Sequence, residues 1–374
     1  MARVVVSGVR IASMLENRHR TVDDLVEAGV SGADVLRLDD SDLELEFDEL
    51  LTLAKFFKRT WAYLLDDRPE RFSKPDHDNR TFENRESGYS IELLDEYEFA
   101  VQMLAAANEL FPTPGMELPR DIPLTPGNIE ESALRIRTLL GVSDEAQLAT
   151  KDDFAALRMW VAAIHDRGVY VVQRRLNDPT VRAFSMTAGH QALIAVDTAD
   201  NPLARVYSLL HELGHLLMRS TGTCDLNEHL QIELACNRLA AEVLMPRSVL
   251  QAAFAYGGWT GDDADDHRLA SLSRQIGASQ ASLLIRLQQL GWLSDREFQE
   301  LEARRAVRRP AERKPGGDFY RTAINRVGRR YANKVFEAFE DGRIDRTDAG
   351  SLLGVGKHLV GRYERELRIA MATS

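Results

Sequence analysis

The stretch that most constrains this chain is PLARVYSLLHELGHLLM, residues 202–218, which sets two histidines and a glutamate within an apolar helical run. Residues four apart lie on one face of a helix, so His211 and His215 can direct both imidazoles at one point. The apolar flanks predict that this helix is largely buried, where polar side chains are costly unless a partner satisfies them. The pattern therefore predicts a helix whose two histidines bind one tetrahedral cation.

Glu212 follows the first histidine and completes the pattern H-E-x-x-H. We expect its side chain to reach a water bound to the cation, but not the cation itself. A carboxylate there suits a general base that deprotonates water acidified by zinc. A purely structural zinc site does not need it and commonly uses several cysteines, yet Cys224 and Cys236 lack C-x-x-C spacing. The motif thus favours a catalytic site with three protein ligands and one open position.

A third ligand is expected from the next helix, residues 229–245, and Glu233 is the first candidate. Leu234 and Leu239 predict that this helix is buried, which argues against an ordinary surface carboxylate. Asn237 follows Glu233 by one turn. We expect it to accept a hydrogen bond from the second ring N–H of a ligand histidine.

Other residues near the motif compete as the third ligand. Glu228 and His229 precede the apolar periodicity of the helix, and Glu242 lies nine residues beyond Glu233, off its face. Cys236 is expected to be a small core residue rather than a ligand.

The chain around the motif combines helices with three short β-rich runs. The runs are GVYVVQ (168–173), VRAFSMT (181–187) and HQALIAVD (190–197). Turn residues separate them, which predicts a small sheet. Helical patterns before and after these runs predict a fold that is mainly α with a small three-stranded β-sheet.

Residues 1–67 are expected to form short helices in a helix-turn-helix arrangement. Thr21 and Asp24 form a capping pattern for a first helix, and a second helix is predicted over 31–38. The stretch 34–49 carries eight acidic residues against Arg37. Such a surface repels DNA phosphates, so we expect a helical cap without DNA affinity.

We divide the chain into six segments. In order, these are a helix-turn-helix-like domain (1–67), a polar linker (68–89), the core with the motif (90–250), a second helix-turn-helix-like region (251–300), a basic linker (301–317) and a C-terminal helical domain (318–374).

Composition narrows the cellular setting. The formal net charge of -11 argues against nonspecific nucleic-acid binding by the whole molecule. No apolar run reaches the roughly 18 residues of a membrane helix, and the first residues lack a secretory signal pattern. Two cysteines form no disulfide framework, so we expect a reducing cytoplasm.

The stretches ARVYSLLHELGHLLM and IELACNRLAAEVLMP, with the three β-rich runs before them, resemble the ImmA/IrrE family of metallopeptidases. The resemblance implies an α+β zincin-like core of the gluzincin type, flanked by helical domains. It also implies one Zn²⁺ per chain bound by His211, His215 and Glu233, with Glu212 as general base; Mn²⁺ or another divalent metal would also suit these ligands.

Longer members of this family begin with a helix-turn-helix domain of the Xre repressor type, where residues 1–67 fall. The family's implied partner is a protein substrate, an Xre-type transcriptional repressor that is cleaved to derepress stress or mobile-element genes. The N-terminal domain is then expected to act as a pseudo-substrate or to form a homodimer. The rival hypothesis is a non-catalytic regulator, related to phage or toxin–antitoxin systems, that keeps the metal for structure.

A zincin cleaves an extended peptide bound along the edge strand beside its active-site helix. The stretch 189–197 is the expected edge strand. The oxyanion that forms on attack needs a donor, and the sequence leaves four candidates open. These are Tyr170, Tyr207, His190 and Arg205.

Overall fold

A computed structural model describes residues 3–18, 20–33, 41–57, 61–68, 90–111, 115–118, 127–218, 226–257, 266–307 and 318–372. The chain forms two compact units, Met1–Glu98 and Phe99–Ser374, and the division falls within one long helix. Within the described ranges, no helix has both the length and the apolar character needed to span a membrane. The six segment boundaries set from sequence stay predictions.

The first unit contains a strand pair as well as helices. Its elements are β1 (Arg3–Val6), α1 (Gly8–Asn17), α2 (Val22–Glu27), β2 (Leu43–Glu46), α3 (Phe47–Phe56), α4 (Trp61–Leu64) and the start of α5 (Ile91–Leu110). Strands β1 and β2 pair antiparallel, with Arg3 opposite Glu46. The expectation of helices alone over 1–67 was therefore wrong. The two short strands pair across some forty residues of sequence, a contact that local patterns do not predict.

The expected helix-turn-helix is described only in part. Thr21 and Asp24 form the capping box that begins α2, as predicted. Of the second helix predicted over 31–38, residues 31–33 form a 3-10 turn and 34–38 lie outside the described residues. Most of the predicted linker 68–89 lies outside them as well.

The second unit is a helical domain around a three-stranded sheet. Its elements are the rest of α5, then α6 (Ile129–Leu140), α7 (Asp144–Leu148), α8 (Asp153–His165), β3 (Val169–Arg174), β4 (Ala183–Ala188), β5 (Gln191–Asp197), α9 (Pro202–Met218), α10 (Leu226–Leu244), α11 (Arg247–Gly257), α12 (Asp266–Ile276), α13 (Gln280–Gln289), α14 (Asp295–Val307), α15 (Phe319–Val327), α16 (Arg329–Glu340), α17 (Arg346–Leu352) and α18 (Val360–Ala372). The fold is mainly α with a small three-stranded sheet, as the sequence predicted.

Strand order in this sheet is β3-β5-β4. Strand β5 pairs parallel with β3 and antiparallel with β4, so it is central and not the expected edge. Every residue of β5 is buried, which is typical of a central strand. The edge strand beside α9 is β4, which turns back to pair with β5 after a short turn.

The sheet is covered on both faces. On one face Val171 and Ile194 join a hydrophobic cluster with Leu209 and Leu213 of α9. On the other face the neighbouring residue Tyr170 packs edge-on against Tyr331 of α16, with ring centroids 5.7 Å apart. Alternation along the strands therefore decides which side chains face α9 and the predicted motif.

Two predictions for the later helices have different outcomes. Helices α12 and α13 meet at a turn, and Ser279 caps α13 by accepting from the Ser282 N–H, as the second helix-turn-helix-like pattern predicted. The basic linker predicted from residue 301 instead starts inside a helix, since α14 runs to Val307; residues 308–317 lie outside the described residues.

Candidate metal centre

Helix α9 brings His211 and His215 together. It starts at Pro202, and Asn201 caps it by accepting a hydrogen bond from the Ala204 N–H over 2.9 Å. The Nε2 atoms of the two histidines lie 3.0 Å apart. Their side chains are 16% and 13% exposed, so both are largely buried but reach the surface.

Helix α10 supplies the carboxylate. Glu233 Oε1 lies 3.2 Å from Nε2 of His215, and Oε2 lies 3.5 Å from Nε2 of His211. Three donors around a tetrahedral cation, with bonds of about 2.0–2.1 Å, lie about 3.3–3.4 Å apart. The two histidine nitrogens and the Glu233 carboxylate, each of whose oxygens lies close to one of them, therefore form a group of donors that could hold a divalent cation such as zinc.

Glu212, which follows His211 in the sequence, is buried, with 6% of its surface exposed. Ser185 of β4 donates its hydroxyl hydrogen bond to Glu212 Oε2 over 2.8 Å. Ser185 was not among the residues predicted for the site. The available signal was a hydroxyl in the apolar run AFSM, on the strand face that meets α9.

The contact with a ring nitrogen of a histidine that was expected of Asn237 is made instead by Cys236. Cys236 Sγ lies 3.0 Å from Nδ1 of His215, so the buried thiol occupies the position beside the His215 ring. Asn237 meets Tyr207, whose hydroxyl donates to the Asn237 backbone oxygen at 3.1 Å and to its Oδ1 at 3.3 Å. Burial raises the pKa of Tyr207 to about 12, so its hydroxyl keeps its proton at neutral pH.

The structure does not bring three of the four oxyanion candidates to this centre. Tyr170 lies on the opposite face of the sheet, against Tyr331. Arg205 is buried at the start of α9, where it donates to the Asp200 backbone oxygen over 3.0 Å. His190 is exposed in the turn between β4 and β5. Each was predicted from residue type alone, which carries no information on where the fold places the side chain.

The residues that bury helix α10 differ in part from those that the sequence predicted. Leu234 is 56% exposed, so the prediction that it buries the helix was wrong; Leu239 and Cys236 lie in the core as expected. Of the competing ligands, Glu242 forms a buried ion pair with Arg286. The side chains of residues 228 and 229 lie outside the described part of the chain.

A large cleft begins one helical turn from the metal centre. Its volume is about 1160 Å³, and Tyr207 and Asn237 line it. Tyr207 precedes His211 by one turn and Asn237 follows Glu233 by one turn, so both helices of the centre also form a wall of the cleft. Within the described residues, the cleft extends from there to α12 and α13.

Residues 164–288 match the family model described as Peptidase_M78, IrrE N-terminal-like domain. The matched segment contains the three-stranded sheet, α9 and α10, and with them the three donors and Glu212. The chain therefore carries a domain of a metallopeptidase family, and the resemblance to the ImmA/IrrE proteins is confirmed for this segment. A search of curated proteins found no match to the chain.

Proposed function

We propose that this protein is a zinc-dependent endopeptidase that cleaves an Xre-type repressor. The observation that supports this most strongly is the convergence of His211, His215 and Glu233 beside the buried carboxylate of Glu212. A divalent cation fits the donors, and a structural site would leave Glu212 without a role. The family match supports peptide-bond hydrolysis as the reaction.

Each residue of the centre has its own proposed role in peptide-bond hydrolysis. His211, His215 and Glu233 would hold the zinc ion, which when bound would supply the Lewis acidity for activating water and polarising the substrate carbonyl. Glu212 accepts a proton from the attacking water and passes it to the leaving amine nitrogen. Ser185 holds the Glu212 carboxylate through its 2.8 Å hydrogen bond, so that the base keeps one orientation.

Substrate binding is proposed along strand β4 and the neighbouring cleft. Among the described strands, β4 pairs with β5 alone, and this leaves its other edge for an extended peptide to join as an added strand. The cleft of about 1160 Å³ then receives residues on one side of the cleaved bond. Tyr207, whose hydroxyl lies in the wall of this cleft, is the remaining candidate donor to the oxyanion.

The test compares wild type with Glu212→Gln on a panel of purified Xre-type repressors, with new termini read by mass spectrometry. Wild type is expected to cut one member of the panel, while Glu212→Gln binds one zinc per chain and does not cut. Glu131→Gln, at an exposed position of α6, is the matched control and should cut like wild type. Equal cleavage by both glutamate variants would reject Glu212 as the base. No cleavage by any zinc-loaded protein would favour the regulatory hypothesis.

A further inference from the structure

Small side chains line much of the cleft beside the metal centre. Ala204 and Ser208 lie one turn apart on α9, Ala241 lies on α10, and α12 and α13 contribute Ala270 and Ala281. The distance between two packed helices depends on the side chains at their contact, and small ones allow the closest approach. The cleft therefore has room for another backbone between its walls.

The cleft is large enough for a segment of chain. A helix with a diameter of about 10 Å and a rise of about 1.5 Å per residue takes up about 120 Å³ per residue. The cleft volume of about 1160 Å³ therefore corresponds to about ten residues, which is about three turns of helix. A single side chain of a substrate would fill only a small part of it.

Helices form most of the described walls of the cleft, namely α9, α10, α12 and α13. Backbone N–H and C=O groups within a helix bond to each other, so these walls present mostly side chains rather than an open backbone edge. An extended segment would bury its own backbone groups there with few backbone partners, whereas a helical segment satisfies them internally. The walls therefore favour a helical occupant.

Apolar contact is the main interaction that the walls offer. Ser273 Oγ donates to the backbone oxygen of Ala278 over 2.6 Å, and the hydroxyls of Ser279 and Ser282 bond to each other over 2.6 Å, so these polar groups already have partners. Ile285 of α13 adds a large apolar side chain that is 48% exposed. Exposed apolar surface in a cleft is stabilised when a partner covers it. An occupant with an apolar stripe fits this wall.

The charges of the cleft favour neither an acidic nor a basic occupant. Its described charged lining residues are two acids and two arginines: Asp153, Asp200, Arg182 and Arg274. Arg182 and Asp200 pair with each other over 2.7 Å. Recognition therefore depends mainly on shape and on apolar contact.

We infer that the cleft is a docking site for an α-helix of the protein substrate, about three turns long, whose apolar stripe packs against Ile285 and the small residues. The inference rests on the proposed function, because it takes the occupant to be part of the peptidase substrate. Tyr207 and Asn237 line the cleft one turn from His211 and Glu233, so a docked helix lies next to the segment that enters the metal centre. The substrate is then selected by a helix beside the cleaved bond as well as by the residues at that bond.

The first test uses photo-cross-linking. Ile285→benzoylphenylalanine is made in the full-length, zinc-loaded Glu212→Gln chain, so that a bound repressor stays uncut, and each repressor of the panel is added in turn. Mass spectrometry locates the cross-linked residues of the repressor. The control is Leu134→benzoylphenylalanine, at an exposed position of α6 that is not among the described lining residues. Cross-links from position 285 are expected in one helix of a repressor, and position 134 should give none.

The second test separates docking from catalysis. Ile285→Glu places a charge on the apolar wall, and Leu134→Glu makes the same change outside the cleft. Ile285→Glu should raise KM for the cleaved repressor about tenfold with kcat unchanged, because an apolar contact is lost while the catalytic residues are untouched. Leu134→Glu should keep the wild-type KM.

A synthetic peptide copied from the cross-linked helix tests the conformation of the occupant. A lactam bridge between side chains four residues apart holds the peptide helical, and a central proline prevents the helix. The bridged peptide should inhibit cleavage of the repressor at least about tenfold better than the proline peptide, because less conformational freedom is lost on binding. Equal inhibition by the two peptides would overturn the helical occupant.

The outcomes distinguish the docking site from the proposed reaction. Cross-links from position 285 to a repressor helix, without cleavage by wild type, would support the docking site and reject the peptidase reaction. Cleavage with a wild-type KM in Ile285→Glu would overturn the docking site and leave the proposed function in place. Cross-links confined to loops or strands of the repressors, or no cross-link to any of them, would also overturn the inference.

Discussion

Ser185 Oγ and Glu212 Oε2 are joined by a hydrogen bond of 2.8 Å, which ties the edge strand β4 to the helix that carries His211 and His215. Both side chains are buried. A buried carboxylate without such a donor would pay a desolvation cost and would sample other rotamers. The strand that is proposed to receive the substrate therefore also orients the proposed base.

Replacing Ser185 with alanine should slow cleavage without releasing the metal. We expect Ser185→Ala to lower kcat about tenfold, because the carboxylate spends less time in the productive orientation, with KM little changed. Steady-state kinetics on the cleaved repressor and zinc content per chain are the measurements. The control is Ser132→Ala, which replaces a buried serine on α6 and should keep wild-type kcat. A normal kcat in Ser185→Ala would show that the hydrogen bond has no part in catalysis.

Removing the third donor should weaken metal binding while leaving the fold intact. Glu233→Ala deletes the carboxylate that lies 3.2 Å from His215 Nε2, so we expect zinc affinity to fall by at least about a hundredfold. Competition with a chromophoric chelator measures this affinity, and circular dichroism checks the helices. Glu131→Ala should bind zinc like wild type, since residue 131 is exposed on α6. Undiminished affinity in Glu233→Ala would mean that another residue completes the site.

Gly328 should be far less tolerant of alanine than Gly342, although both have positive φ, +79° and +70°. A Cβ at residue 342 meets nothing within 4 Å, so Gly342→Ala should cost about 1 kcal/mol of unfolding free energy from backbone strain. At residue 328 the added carbon would overlap the backbone oxygen of Val171, which should add about 2 kcal/mol or more. Chemical denaturation of both variants compares the two costs, and equal costs would contradict the close contact.

His165 should make the unfolding free energy depend on pH in mildly acid solution. Burial lowers the pKa of His165 from 6.5 to about 4, and the charges of Arg330 and Arg329 act in the same direction. Between pH about 6.5 and about 4, His165 is therefore protonated in the unfolded chain but neutral in the folded chain. The contribution of His165 to the unfolding free energy should have its full value above pH about 6.5 and should fall by about 3 kcal/mol as the pH falls to about 4.

Denaturation at several pH values, in wild type and His165→Gln, isolates this effect from the titration of carboxylates. Glutamine cannot take up the proton but can still accept the hydrogen bond that the Val171 N–H donates to His165 Nε2 over 3.1 Å. The acid loss of stability should be smaller in His165→Gln by about 3 kcal/mol. Identical pH profiles would show that His165 protonates freely in the folded protein.

Local patterns predicted helix α9 and its neighbouring histidines well. The bounds of α9 and the side-by-side histidines follow from helical periodicity and from Pro202 at its start, because these depend on neighbours along the chain. The capping box of Thr21 and the cap at Ser279 followed in the same way.

Contacts between distant segments were not predictable from such patterns. Strand order in the sheet depends on how β4 and β5 pair, which the apolar composition of a run does not specify. The one sign that β5 is a central strand is that all of its residues are buried. Ser185 and Glu212 are 27 residues apart, and Cys236 and His215 are 21 apart. Tyr170 failed as a candidate because its strand face depends on register.

Gly214, inside the H-E-x-x-H stretch, lies against the helix that carries Glu233. A Cβ at this position would lie 3.2 Å from Cys236 Sγ, tighter than most real Cβ contacts, so an alanine here would require Cys236 or the helices to shift by a few tenths of an ångström. The separation of α9 and α10 sets how far the carboxylate stands from the two imidazoles. Gly214 and Cys236 therefore act together as a spacer between the two helices, and the size of the cation that the proposed site would accept depends partly on this contact.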